Sequence, residues 1–439
     1  MTIRKPVRLN HPDDLPNVYQ GRLRIIGTLG ESVKKYRALH AATGLTSLSS
    51  GTNNVTPNKQ PLLMTNDENK AAYMNNNFGK IKDIETKAQN DLQPVYTNIS
   101  NNPDTAWVEV EDTDTGDQFY MAWSSSGSVW SFTQSINPVS FENKKIRASQ
   151  GDTDTKYEAL VQFGTYSQSG SVAGIHSYNI GLGTMAVESV IAMMLAKTIS
   201  GFVSDGLGFL VSAFAERLGA AAAEVGLEVA FVVPEFVIGA VAACLCFAIV
   251  FVGLAYLWNW INRQYTIRVQ IFNWDTNNDW QVPSQALSNA INPGKDNQTT
   301  EMGIKLDKMV DAGAIVYPPG FQGVKTLDNV VYYCLIIYEN DHTFAQGCSF
   351  AVQMQCNGST TNGSTYAFQC PRWSDNGHYM VGQVIDANSF LETARSNWTS
   401  NMSLNVTTAN NIPVNSTMDA LSGADNQLYN INIHINKSS

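Results

Sequence analysis

The spacing of hydrophobic and polar residues divides this chain into three kinds of segment. Residues 1–104 mix Asn-rich loops with two stretches at helical spacing, Glu31–His40 and Ala71–Leu92. Residues 105–165 carry short alternating or aromatic runs separated by Gly and Asp, and residues from Tyr265 onward return to that pattern. Such runs predict strands, and their number after residue 265 predicts a β-sandwich.

The segment between these β-rich parts is apolar and is predicted to be helical. Phe236–Trp258 contains 23 residues without a charge. As a helix it would be about 35 Å long, against roughly 30 Å for the hydrocarbon core of a bilayer. Aromatic residues cluster at its C-terminal end before Arg263, as in an interfacial anchor. The candidate membrane-inserting residues are Phe236, Val241, Leu245, Phe247, Ile249, Phe251, Leu254, Tyr256, Trp258 and Trp260.

The preceding arm, Gly181–Val233, is apolar but carries sparse charges. At about 100° per residue, Arg217 and the acids Glu224, Glu228 and Glu235 would fall within about 40° of one another on a continuous helix. The three acids are candidate pH sensors, because protonation makes a carboxyl group far cheaper to place in hydrocarbon. They are also candidates for lining a cation-preferring pore. An ordinary solvated helix face is the third interpretation.

Three interpretations of the apolar region compete. A core helix packed on all sides is hydrophobic all round, although an uncharged run of 23 residues is long for one. A resident membrane protein would have its basic flank on the wrong side, and the basic N-terminus is not followed by the apolar stretch of a secretory signal. We therefore expect a segment that is carried buried and exposed later, in a protein released or secreted without a classical signal peptide that acts at a target-cell membrane.

These patterns together predict an α+β fold. We expect an N-terminal helical and loop region over 1–104, a β-rich segment over 105–170, and a hydrophobic helical region over 171–262. A long helical hairpin would occupy about 181–260. A β-sandwich-like domain would follow over 263–439.

Composition and motifs argue against several classes of function. Of 439 residues, 15 % are charged and the net charge is −10, which argues against a nucleic-acid partner. Hydrophobic residues make up 44 %, enough for a packed core. Catalytic and phosphate-loop motifs are absent and the histidines are scattered, so we expect no enzyme, cofactor or metal. Four cysteines after residue 330 allow three pairings, and the sequence does not choose between them. These are Cys334, Cys348, Cys356 and Cys370.

Aromatic residues in turn-rich stretches of the C-terminal part are candidates for recognition. An exposed Trp or Tyr offers an apolar face and a polar tip, which suits a bilayer interface, a receptor or a glycan. Core or edge positions in the sheets are the alternative. The candidates are Trp274, Trp280, Trp373, Tyr379 and Trp398.

In plan the chain resembles a pore-forming toxin: a soluble form that hides an apolar helical hairpin and carries β-rich recognition parts. The resemblance is architectural, and no family's site residues are carried over. It implies a cytolysin that binds a lipid membrane, a surface receptor or a glycan and then inserts as a homo-oligomer. A second protein component is a further candidate partner. The alternative function is a viral or cellular surface or structural protein with a buried or anchoring hydrophobic helix.

Overall fold

The computed structural model of the chain is built mainly from β-sheets. It describes residues 15–16, 19–34, 38, 52–102, 105–138, 157–183, 188–205, 211–224, 230–232, 265–292, 301–309, 329–341, 347–424 and 427–437. The strands of the N-terminal half are β1 Leu23–Thr28, β2 Thr52–Thr65, β3 Val108–Asp112, β4 Gln118–Trp123, β5 Val129–Pro138, β6 Tyr157–Ser167, β7 Val172–Gly183 and β8 Ala230–Val232. Those of the C-terminal half are β9 Thr266–Asn273, β10 Trp280–Ser288, β11 Ala290–Ile291, β12 Glu301–Leu306, β13 Asn329–Val331, β14 Tyr333–Asn340, β15 Cys348–Cys356, β16 Gly363–Cys370, β17 Gly377–Val381, β18 Ser403–Thr407, β19 Pro413–Met418 and β20 Leu428–Ile435.

The helices are short relative to the expected hairpin. They are α1 Asp67–Met74, α2 Phe78–Asn101, α3 Glu188–Asp205, α4 Val211–Glu224 and α5 Ala387–Ala394. Residues 29–34 are also helical. The single helix expected over Ala71–Leu92 is in fact two, α1 and α2. They meet at Asn75–Asn77, where Asn76 has a φ of 54° and the Asn77 side chain caps α2 by accepting from the Lys80 N–H.

The described strands form three sheets. Sheet 1 has the order β1-β3-β4-β5-β6-β7-β2-β13, with β8 pairing alongside β2. Sheet 2 has the order β12-β10-β15-β16-β17, and sheet 3 the order β11-β14-β9-β20-β19-β18. Among the described strands, pairing is antiparallel except where β20 meets β9 and β8 meets β2. Sheet 1 draws β13 from the C-terminal half of the chain, so one sheet joins both halves.

Sheets 2 and 3 face each other as a β-sandwich. Val269 and Ile271 on β9 and Ile431 and Ile433 on β20 share one buried core with Phe350 and the other inward residues of sheet 2. These positions alternate along each strand, as expected for a sheet with one face toward the core. Helix α5 covers the outer face of sheet 2, where Phe390 and Leu391 pack against alanines of β10, β15 and β16.

The prediction of a long hydrophobic helical hairpin is wrong. Val172–Gly183 is a strand held between β6 and β2, and the following helices, α3 and α4, span 18 and 14 residues before β8 begins. Among the described helices, none is both long and apolar enough to cross a membrane. Residues 191–196 of α3 are all buried, because α3 packs against sheet 1, α2 and α4. The apolar side chains of α3 therefore fill a protein core and need no membrane to cover them.

A buried ion pair joins the sandwich to the helical layer of α1 and α2. The Arg268 Nη1 and Nη2 atoms donate to the two Glu85 carboxylate oxygens at 3.0 and 2.9 Å. Each side chain is 6 % exposed. Arg268 lies on the outer face of sheet 3, and Glu85 lies on α2. The pair therefore connects elements 183 residues apart.

Removing one partner of this pair should destabilise the protein strongly, because it leaves a buried charge without compensation. We expect Glu85→Gln to lower the free energy of unfolding by about 3 kcal/mol in urea titrations. The matched control is Glu392→Gln, which breaks an exposed Arg395–Glu392 pair and should cost less than about 0.5 kcal/mol. Equal effects of the two variants would contradict the assigned role of the Arg268–Glu85 pair.

Candidate recognition surface

The most exposed large hydrophobic side chain in the described part of the chain is Trp373, which is 84 % exposed. It lies in residues 371–376, which connect β16 to β17 and are called the tryptophan loop below. The Arg372 guanidinium carbon lies 4.9 Å from the centre of the Trp373 ring. A cation at this distance over an indole face is attracted by the ring quadrupole. The loop thus presents an apolar ring with a positive charge on one face.

Backbone contacts at both ends hold the tryptophan loop. At its start, a Cβ on Gly347 would lie 2.3 Å from the Cys370 carbonyl oxygen, so only glycine allows this close approach. At its end, the Asn376 N–H donates to the Leu421 carbonyl at 2.8 Å. Trp373 is therefore presented from a loop fixed to two neighbouring segments.

A buried histidine connects β17 to the segment 397–402. The His378 Nε2 atom donates to the Asn401 carbonyl at 2.7 Å, and its Nδ1 atom accepts from the Tyr366 hydroxyl at 3.1 Å. The His378 backbone also exchanges two hydrogen bonds with Thr399. Burial lowers the His378 pKa to about 4, against a smaller raising effect from the Asn401 carbonyl. The neutral ring is thus part of the scaffold beside the tryptophan loop.

The other predicted aromatic residues have different environments. Trp398 is half-buried beside Gly377, and Tyr379 is half-buried and stacks on Phe390 with ring centres 5.3 Å apart. Trp274 and Trp280 are buried in the core. Trp398 and Tyr379 thus pack against the α5 cluster on the outer face of sheet 2, whereas Trp373 is exposed and the other two tryptophans lie inside the protein.

Two residues of this surface were not selected from the sequence. Arg372 directly precedes Trp373, and the adjacency of the two was a usable signal. Met402, 40 % exposed, lies in the segment that His378 connects to β17. Its exposure follows from tertiary structure, since the sequence around it does not distinguish it from a buried methionine.

The predicted acidic stripe and insertion residues are mostly outside the described residues. Glu228, Glu235 and all ten candidate inserting residues from Phe236 to Trp260 lie there. Glu224 is described: it is at the end of α4, and its carboxylate lies 2.8 Å from the Lys197 ammonium on α3. Its side chain is 61 % exposed, so at this position the charge sits on a solvated, paired surface.

The four C-terminal cysteines are buried and form no disulfide. Cys348 and Cys370 are direct partners across β15 and β16. Their mutual hydrogen bond and burial raise the pKa of Cys370, which keeps it a neutral thiol. Within the described residues, no group of three or more His, Cys, Asp or Glu side chains is placed to hold a metal ion.

Comparisons with known proteins assign no family to this chain. No family model and no curated protein matches it. Among solved structures, the crystal structure of IP-1A from Alcaligenes faecalis is similar at 13 % identity, over 40 % of this chain and 93 % of that one. The TM-score is 0.21, and a likeness at that level carries no argument.

The buried His378 should make stability depend on pH. Its pKa is lower in the folded protein, so the unfolded chain takes up its proton first as the pH falls below about 6.5, and stability declines from there toward pH 4. We expect this residue to contribute about 2 kcal/mol of the loss between pH 7 and pH 5. In urea titrations at pH 7 and pH 5, the unfolding free energy of His378→Gln should fall between the two pH values by about 2 kcal/mol less than that of the wild type. The same loss in both proteins would exclude His378 as a contributor.

Proposed function

We propose that this protein recognises the interface of a lipid membrane through the tryptophan loop. The observation that carries the proposal is the exposure of Trp373 with the Arg372 guanidinium on its face. Tryptophan is enriched at the headgroup level of bilayers, because its ring is apolar and its N–H is polar. Arginine beside it suits the anionic phosphates at the same depth.

The overall charge of the chain indicates how this binding would work. A net charge of −10 opposes long-range attraction to an anionic membrane. Burial of the Trp373 ring, rather than electrostatic adsorption, would therefore supply most of the affinity. We accordingly expect binding to depend only weakly on ionic strength.

A single tryptophan supports only weak attachment. Burying about 200 Å² of aromatic surface at about 25 cal/mol per Å² gives at most about 5 kcal/mol before the costs of association. That corresponds to a dissociation constant near the millimolar range. Several copies on one membrane would bind far more tightly through avidity, so the proposal includes the homo-oligomer expected from the sequence.

The cytolytic step expected from the sequence stays a prediction. The described residues contain no long helical hairpin that could perform it, and we assign no segment to insertion. Release of a dye trapped in liposomes, measured over pH and over target lipid compositions, tests this step by itself. Absence of release on every membrane would remove the cytolytic step and leave the recognition proposal standing.

Substitutions in the tryptophan loop test membrane recognition directly. We expect Trp373→Ala to weaken liposome co-sedimentation at least tenfold and Trp373→Phe to weaken it less, since removing about 1.4 kcal/mol is enough for the tenfold change. Unfolding free energy should stay within about 0.5 kcal/mol of wild type, because the ring is exposed.

Substitution of two arginines, one inside and one outside the tryptophan loop, distinguishes a specific role of the loop from a general effect of positive charge. Arg372→Ala should weaken binding, whereas Arg395→Ala removes the same charge from an exposed position on the α5 side and should leave binding unchanged. Equal weakening by both would contradict a role for the loop. Binding of wild type to glycan-coated surfaces but to no protein-free liposome would replace the membrane with a glycan as the ligand.

A further inference from the structure

The outer face of sheet 3 carries both polar and apolar side chains where the helical layer of α1 and α2 covers it. His434 lies in this contact and is fully buried. The Trp274 Nε1–H donates to its Nδ1 atom at 2.8 Å, and its Nε2–H donates to the Asn76 amide oxygen at 2.7 Å. Indole N–H groups only donate, so these partners require the neutral imidazole with its proton on Nε2.

Asn76 is the point at which the helical layer contacts this face. Its amide oxygen also accepts from the Asn432 side chain at 2.9 Å, and its amide nitrogen donates to the Thr417 hydroxyl at 3.2 Å. It lies in the turn between α1 and α2 with a φ of 54°. One residue of the helical layer therefore hydrogen-bonds to both β19 and β20, and His434 is one of its partners.

The contact also contains polar atoms that are incompletely paired. Within the described residues, four buried side-chain atoms on the two sides of it make no hydrogen bond: Tyr73 Oη, Arg268 Nε, Gln270 Nε2 and Asn432 Oδ1. Buried polar atoms without partners cost free energy that hydration would recover. Hydration of these four atoms offsets part of the cost of opening the contact around them.

The charged and titratable groups around His434 do not stabilise its protonated form. Lys437 lies just after β20, the strand that carries His434, and its positive charge disfavours a positive charge on the ring. Arg268 on β9 adds another cation, which the Glu85 carboxylate on α2 neutralises. Tyr73 on α1 has its pKa raised by burial and stays neutral. Asn415 and Thr417 on β19 are uncharged.

We propose that His434, Asn76 and Trp274 form an acid-released joint between the helical layer and the C-terminal β-sandwich. A second proton on His434 would place an N–H at Nδ1, directly opposite the Trp274 N–H. The hydrogen bond from Trp274 to His434 would then be lost, and the two N–H groups would repel each other. Protonation then requires the contact to open, which hydrates the ring and exposes the outer face of sheet 3.

The joint should open progressively as the pH falls below 6.5. Burial, reinforced by Lys437, lowers the His434 pKa from 6.5 to about 3 in the closed form. The open form therefore takes up the proton at a higher pH than the closed form, and the equilibrium constant for opening increases as the pH falls from 6.5 toward 3. At pH 4.5 this constant should be about a hundredfold larger than at neutral pH. The closed contact is favoured at neutral pH, where His434 carries one proton in both forms.

Hydrogen exchange followed by mass spectrometry tests the joint on the full chain. After correction for the intrinsic pH dependence of exchange, protection over residues 67–101 and 428–435 should fall about a hundredfold between pH 7 and pH 4.5. Protection over β15 and β16 should stay, because the core of the sandwich remains closed. An unchanged exchange rate in the first two segments, or a parallel loss over β15 and β16, would overturn the proposal.

Two variants and a matched control assign the effect to His434. His434→Gln cannot take up the proton and should reduce the change to less than about twofold. His378→Gln removes the other buried histidine, which lies outside this contact, and should keep the full change. Asn76→Gly tolerates the positive φ, removes the partner of Nε2 and should increase exchange already at pH 7. A hundredfold change that persists in His434→Gln would assign the opening to another group.

Discussion

The bidentate ion pair between Arg268 and Glu85 is the constraint on which the arrangement of this molecule depends. Both charges are removed from water where sheet 3 meets α2, so sliding these layers apart would leave two unpaired charges in a poorly hydrated contact. The pair continues into the sandwich, since Arg268 also donates to the Asn430 side chain and Asn430 donates to Asp419. One polar network thus fixes how the helical layer sits on the sandwich.

The same network reaches toward the candidate recognition surface. Asp419 begins the segment that includes Leu421, and the Leu421 carbonyl accepts from the Asn376 N–H at the end of the tryptophan loop. These contacts connect the loop to the side of the sandwich that carries the ion pair and His434. They give Trp373 a fixed base, which matters because an exposed ring contributes affinity only if its presentation costs little conformational entropy.

Helix α3 shows why hydropathy misleads in this chain. Six consecutive residues, 191–196, are buried, and at about 100° per residue they cover more than the whole circumference of the helix. A helix enclosed on all sides has the composition of a membrane segment. The pattern also predicts a helical structure for β7, because its Gly, Ala and Ile residues resemble those of the helix that follows. Its pairing with β6 and β2 decides its structure instead.

The sequence alone determined the β-rich character of both flanks, six strands of the C-terminal sandwich (β9, β14, β15, β16, β17 and β20) and the candidacy of Trp373. Each depends on local alternation or on a turn-rich context, which the chain displays directly. Tertiary structure alone decided that Trp274 and Trp280 are buried while Trp373 is exposed, because all three lie in similar polar stretches. It also decided the pairing of Arg268 with Glu85 and of His434 with Asn76. These partners are separated by 183 and 358 residues, and only the packing of sheet 3 against α1 and α2 brings them together.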